Sequence, residues 1–144
     1  MLRYVSLTLI LVVTAGIAMV ALMAFIDPQS VMNLVQVTLP NPDAYSSIRG
    51  VYGGAGLTLV TVLVFLALTD VNKGLLLTAI LCGFYALSRV VTSQIEGPLG
   101  AFGRQWLLIE SSLGILALLL WWARSQEEKK ALRFGSQAGG LPLS

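Results

Sequence analysis

The sequence predicts an all-α integral membrane protein: four transmembrane helices in a bundle, with both termini cytoplasmic and a short amphipathic helix in the first outer loop. Three observations predict it. Of the 144 residues, 56% are hydrophobic and only 11% are charged, where a soluble domain carries about a quarter. Mean hydropathy is +0.83. Four apolar runs each approach the roughly 20 residues that a helix needs to cross a bilayer core, and basic residues gather on one side of the resulting topology.

The first span covers about residues 4–26 and contains no charge. Asp27-Pro28 closes it, because proline lacks the donor the helix ladder needs and disfavours helix in the residue before it. A cleaved signal peptide is the competing reading, with Arg3 as its basic start and Gly16-Ile17-Ala18 as a weak small-x-small site. The apolar run continues well past Ala18, beyond the roughly 7–15 residues of a signal core, which favours a retained span.

The outer loop has structure of its own. Asp27 can cap a helix with Pro28 at its first position. Val31, Met32, Leu34 and Val35 recur at helical spacing, predicting a surface helix over about residues 28–37, on the membrane or against the bundle. Pro40-Asn41-Pro42 ends that unit. The second span covers about residues 50–69, and Asn41-Pro42 can start its helix early. The turn from Asp70 to Gly74 separates it from the third span, about residues 75–93. Glu96-Gly97-Pro98 closes that one, and the fourth covers about residues 104–123.

With both termini on one side, that side carries Arg3, Lys73, Arg124, Lys129, Lys130 and Arg133, against Arg49, Arg89 and Arg104 on the other. The positive-inside rule then places the termini in the cytoplasm, and Trp121 and Trp122 fall where an inner aromatic belt belongs. Residues 124–144 form a cytoplasmic tail. Glu127 and Glu128 lie within reach of Lys130 and Arg133, which supports one or two further helical turns. From Gly135 onward the Gly, Ser and Pro content predicts disorder.

Composition also excludes chemistry. The chain has no histidine and a single cysteine, Cys82. That removes histidine-ligated haem, the common zinc sites and Ser-His or Cys-His nucleophile pairs. No cofactor-binding pattern is present and no cofactor is expected. A net charge of +2 gives no basis for binding nucleic acid.

The unusual residue is Glu110, an ionisable group inside an apolar span. Such a group needs a partner or a purpose. Topology brings Arg49, Arg89 and Glu110 within about 10 Å of one depth near the outer face, at 1.5 Å per residue. Each shares its helix face with small or polar residues: Tyr52, Gly53 and Gly56 on the second helix; Thr78, Cys82 and Tyr85 on the third; Gly114 and Ala117 on the fourth. Gly50 and Gly54 add a small-xxx-small pair, and small residues let helices approach closely in lipid. The simplest reading is a buried pair that fixes the register of helices three and four. A sharper one notes the surplus of arginine, with Arg104 near the rim, and expects a headgroup or small anion. A proton relay through Glu110 has only one span carboxylate to work with. Tyr52 and Tyr85 are read as packing aromatics with a polar tip in this layer. The glycines from Gly50 to Gly56 lack the Gly-Lys-Ser/Thr of a phosphate loop, so helix packing is the better account.

The run Ser47-Ile48-Arg49-Gly50-Val51-Tyr52-Gly53-Gly54 resembles the Arg-x-x-Tyr-Gly-Gly signature of a bacterial family of small four-helix membrane proteins, the DUF4345 domain of unknown function. Arg89 followed by Glu96-Gly97-Pro98, and Glu110 in the fourth helix, are similar to that family's pattern across about residues 7–122. Ser88 departs from it, since the family often has Gly there. The resemblance implies the four-helix fold and the three charged residues, and it implies no activity.

The expected function is therefore non-catalytic: an accessory or structural subunit of a larger membrane complex, or a lipid-binding component, in the bacterial inner membrane. Its partners would be membrane lipids, other membrane subunits or a second copy. The alternative is a carrier or binder of a small anion through Arg49, Arg89 and Glu110. A quinone-associated role has no residue that supports it.

Overall fold

The computed structural model describes the backbone of residues 1–138 and side chains as far as residue 131. Among the described residues the chain is helical apart from short connections and has no strand. The elements are α1 (Leu2–Ile26), α2 (Pro28–Asn33), α3 (Pro42–Ile48), a π-helical segment (Arg49–Gly54), α4 (Ala55–Thr69), α5 (Val71–Ile95) and α6 (Ala101–Ala138). From α3 to α4 the helix is unbroken, Pro42–Thr69, so four helices are long and apolar enough to cross a membrane.

These helices pack as two antiparallel pairs, α1 with the π segment and α4, and α5 with α6. Small residues set the first contact. A Cβ on Gly56 would stand 2.7 Å from Ala21 Cβ, and one on Gly53 would stand 2.8 Å from the Phe25 ring. At one end, Leu9, Ile10, Leu63, Ala67, Val71, Leu75, Ala117 and Leu120 from all four spans form a shared core. We call this the terminal end, because Arg3, the α4–α5 turn and Arg124 lie together there. At the opposite, loop end, Ala24, Val31, Met32 and Leu39 make a smaller cluster that seats α2 on α1.

Polar side chains within the spans answer to their own helices. Ser6, Thr14 and Thr78 are buried, and each hydroxyl donates to the carbonyl four residues earlier, at 2.7–2.8 Å. That satisfies the hydroxyl where water is excluded. No buried side-chain polar atom lacks a partner among the described residues.

Turn chemistry fixes the connections. Asp27 accepts from the Gln29 N–H at 3.1 Å and Asn41 from the Ala44 N–H at 2.9 Å, each before a proline at the first helical position. Asp70 caps α5 through the Lys73 N–H at 3.1 Å. That N–H, and then the Lys73 side chain, hold the Asp70 carboxyl below the usual carboxylate range. Gly97 closes the end of α5 at φ +100°, where a side chain would be strained.

Three expectations change. The loop helix ends at Asn33 rather than near residue 37. Gln36 takes φ 60°, and the Gln29 side chain fastens the loop behind it by donating to Val37 O and accepting from the Leu39 N–H. Val31 and Met32, within the helix, are buried, while Leu34 and Val35, past its end, are exposed. Gly53 and Gly56 pack closely, as their shared face predicts, but the Gly50–Gly54 pair does not join them: a Cβ on either meets nothing within 4 Å. Arg49, Gly53 and Gly56 lie three or four residues apart, so one helix face carries the contacts to α1. Finally, α6 runs on to Ala138, so Gly135 to Ala138 are helical rather than disordered, in continuation of a charged helical stretch. The rest of the expected disordered tail, residues 139–144, lies outside the described residues.

Glycine placement gives a test. Gly56→Ala should lower unfolding stability in detergent by about 1–3 kcal/mol through overpacking. Gly54→Ala, with open space around it, should be neutral or slightly stabilising. Equal effects at the two positions would contradict the packing described.

Candidate functional site

Arg89 and Glu110 meet directly. Arg89 Nε donates to Glu110 Oε2 at 2.6 Å and Nη2 donates to Oε1 at 2.9 Å. This fork-to-fork geometry is the strongest form of an arginine–carboxylate bond. Glu110 is only 8% exposed. The helix faces bring the pair together: Thr78 and Cys82 are buried on α5, and Gly114 and Ala117 on α6. A Cβ on Gly114 would stand 3.2 Å from Cys82 Cβ, so the backbones close to a distance that the arginine can span.

Sequence reasoning missed an aromatic neighbour. The Arg89 guanidinium sits 6.0 Å from the centre of the Phe102 ring, and Phe102 tilts against Trp106 at 6.2 Å. A cation so placed is stabilised by the ring face. The spacing of Phe102 and Trp106, one helical turn apart, was the available signal. Tyr52 and Tyr85 lie within electrostatic reach of Arg89, and both are partly exposed.

Arg49 does not join the pair, which corrects the three-residue layer. Its Nε donates to the Phe25 carbonyl at 2.9 Å. The last carbonyls of a helix have no partner within it and carry the negative end of its dipole, so the end of α1 attracts this guanidinium. Gly53 packs on the same residue, with its Cβ position 3.3 Å from Phe25 Cα. Arg49 and Gly53 thus clamp the end of α1 together. Gly54 makes no close contact. Arg104 is exposed in the first turn of α6 and forms no ion pair among the described residues.

Between α5 and α6 a groove of about 370 Å³ runs beside the pair, lined by small residues that include Ala79, Gly83, Ala86, Ser111 and Gly114, with Glu110 in its wall. Among the described residues no group of three metal-capable side chains gathers.

The Arg-x-x-Tyr-Gly-Gly run thus has a defined place in the fold, and the model of the domain of unknown function DUF4345 matches residues 5–133. The chain belongs to the DUF4345 family. No curated protein and no solved structure matches it. In this DUF4345 chain the matched region takes in every span, the Arg49 clamp and the Arg89–Glu110 pair.

The pair can be tested by a double-substitution cycle. Arg89→Met or Glu110→Leu alone should destabilise the folded protein by about 3–5 kcal/mol, because each leaves an uncompensated charge. The double variant should recover much of that loss. Strictly additive losses, measured by unfolding in mixed micelles, would show that the two groups are not coupled.

Proposed function

We propose that this DUF4345 protein is a non-catalytic membrane component: an accessory or structural subunit of a larger complex, or a lipid-binding part of the membrane. The observation that carries this reading is the closed, two-point bond between Arg89 and Glu110. It commits both carboxylate oxygens of Glu110 to holding α5 against α6. A general acid or a carrier carboxylate needs an oxygen free to exchange protons or ligands. Arg49, the other cation of the expected cluster, is held on Phe25. The exposed faces of the spans are apolar, as contact with lipid or with another membrane helix requires.

The basic-residue asymmetry supports cytoplasmic termini, and the family resemblance supports a bacterial inner membrane. The surplus basic side chains at the terminal end, including Lys129 and Lys130, suit an anionic lipid surface. Arg133 belongs to the same argument, but its side chain lies outside the described residues.

A second reading has one observation behind it. Arg89 Nη1 has no hydrogen-bond partner among the described residues, and Phe102, Tyr52 and Tyr85 stand nearby. That edge suits one oxygen of a small anion entering from the loop end.

The experiment is purification of the tagged chain in mild detergent, with reporter fusions at Lys73 and after Ala131. The accessory reading predicts a stoichiometric membrane-protein partner or tightly held lipid, and cytoplasmic reporters. A chain that runs alone and free of lipid, yet binds a small anion that Arg89→Gln abolishes, would replace it with the second reading.

A further inference from the structure

At the terminal end a cavity of about 380 Å³ opens between the start of α1, the α4–α5 turn and α6. Its polar wall is made by Arg3, Thr69, Asp70, Asn72, Arg124 and Glu128. The Arg124 side chain is only 17% exposed. It is aimed by a bond from its Nε to Asn72 Oδ1 at 2.9 Å. The nearest carboxylate, Glu128, is 4.0 Å from Nη2, too far for a hydrogen bond. Asp70 is committed elsewhere, to the Lys73 N–H at 3.1 Å and the Lys73 ammonium at 3.0 Å. Arg3 is exposed and forms no ion pair among the described residues. The lining therefore carries two guanidiniums and two carboxylates; with Asp70 bonded to Lys73, which lies outside the lining, Arg3 and Arg124 are left with Glu128 as the one uncommitted carboxylate of the wall.

The position is that of a membrane boundary. Arg3 precedes the apolar run of α1, Asp70 follows that of α4, and Arg124 follows Trp121 and Trp122 on α6. Leu68, in the cavity wall, is 78% exposed, and Phe65, one turn along α4, is 61% exposed. An apolar track thus leads from the charged cavity toward the bilayer core.

We propose that this cavity is a phospholipid headgroup site, with the phosphate held between the Arg3 and Arg124 guanidiniums and the acyl chains lying along Phe65 and Leu68. Guanidinium forks match phosphate oxygens in shape and charge. The site stands at the opposite end of the bundle from the Arg89–Glu110 pair, so it holds or fails independently of that pair.

Native mass spectrometry of the delipidated full chain tests it, with phosphatidylglycerol as the probe. Arg3→Gln should weaken phosphatidylglycerol binding about fivefold, the effect of one basic group at a lipid surface, and Arg124→Gln at least as much. Arg104→Gln, at the loop end, should bind like the parent. Arg3 forms no hydrogen bond or ion pair among the described residues, so that variant keeps the test open if Arg124→Gln misfolds. Inorganic phosphate at the same concentration should displace little lipid, because it cannot use the apolar track. Unchanged lipid binding in Arg3→Gln would overturn the proposal. Full displacement by inorganic phosphate would overturn the lipid assignment in favour of a free phosphate.

Discussion

The Arg89–Glu110 bond is the contact on which the register of the second helix pair depends. A carboxylate in an apolar span is costly alone and acceptable only when paired and fully hydrogen-bonded. Once Glu110 is fixed in α6, Arg89 on α5 has a single place to be. Two further contacts lie along the same hairpin. Cys82 meets the backbone at Gly114, and Asn72 accepts from Arg124. From Asn72 to Arg89 these points cover about 26 Å at 1.5 Å per residue, close to the thickness of a bilayer core. A one-turn slip of α6 would break all three at once. Polar contacts near the two ends and a small-residue contact between them thus define one alignment, in a solvent where apolar packing by itself discriminates poorly between alignments.

The first pair is fixed by a different device. Its polar contact is not an ion pair but a cap. Arg49 reaches the orphaned Phe25 carbonyl at the end of α1, and Gly53 admits the same residue's backbone one helical turn later. Gly53 and Gly56 face α1, and Gly50 and Gly54 face away. The two pairs then share a core only toward the terminal end, where Ile10, Leu63, Leu75 and Ala117 interlock. At the loop end each pair carries its own polar fastening.

Most of the architecture was legible because a bilayer leaves few options. Backbone groups must be satisfied within each span, so apolar length alone located the four helices. Asp27-Pro28 and Asn41-Pro42 marked helix starts by chemistry that acts within a few residues, whereas Asp70, read as the opening of a five-residue turn, caps α5 directly. The pairing of Arg89 with Glu110 was legible too, since charge, depth and face agreed. Arg49 was misplaced because depth says nothing about a competing acceptor, and the Phe25 carbonyl is a backbone group that no side-chain pattern announces. The face carrying Gly53 and Gly56 was legible from its spacing, while the Gly50–Gly54 pair, read from the small-xxx-small pattern alone, faces open space. The cavity between Arg3 and Arg124 joins residues from opposite ends of the sequence, beyond the range of any local pattern.

The central claim is that α5 and α6 are joined by a direct guanidinium–carboxylate contact inside the membrane. Solid-state NMR of the protein in lipid bilayers, with labelled arginine guanidinium nitrogen and glutamate carboxyl carbon, measures that contact without perturbing it. The account predicts strong nitrogen–carbon dipolar coupling that disappears in Arg89→Lys and in Glu110→Gln alike. Absence of coupling in the parent protein, or coupling that survives both substitutions, would contradict it.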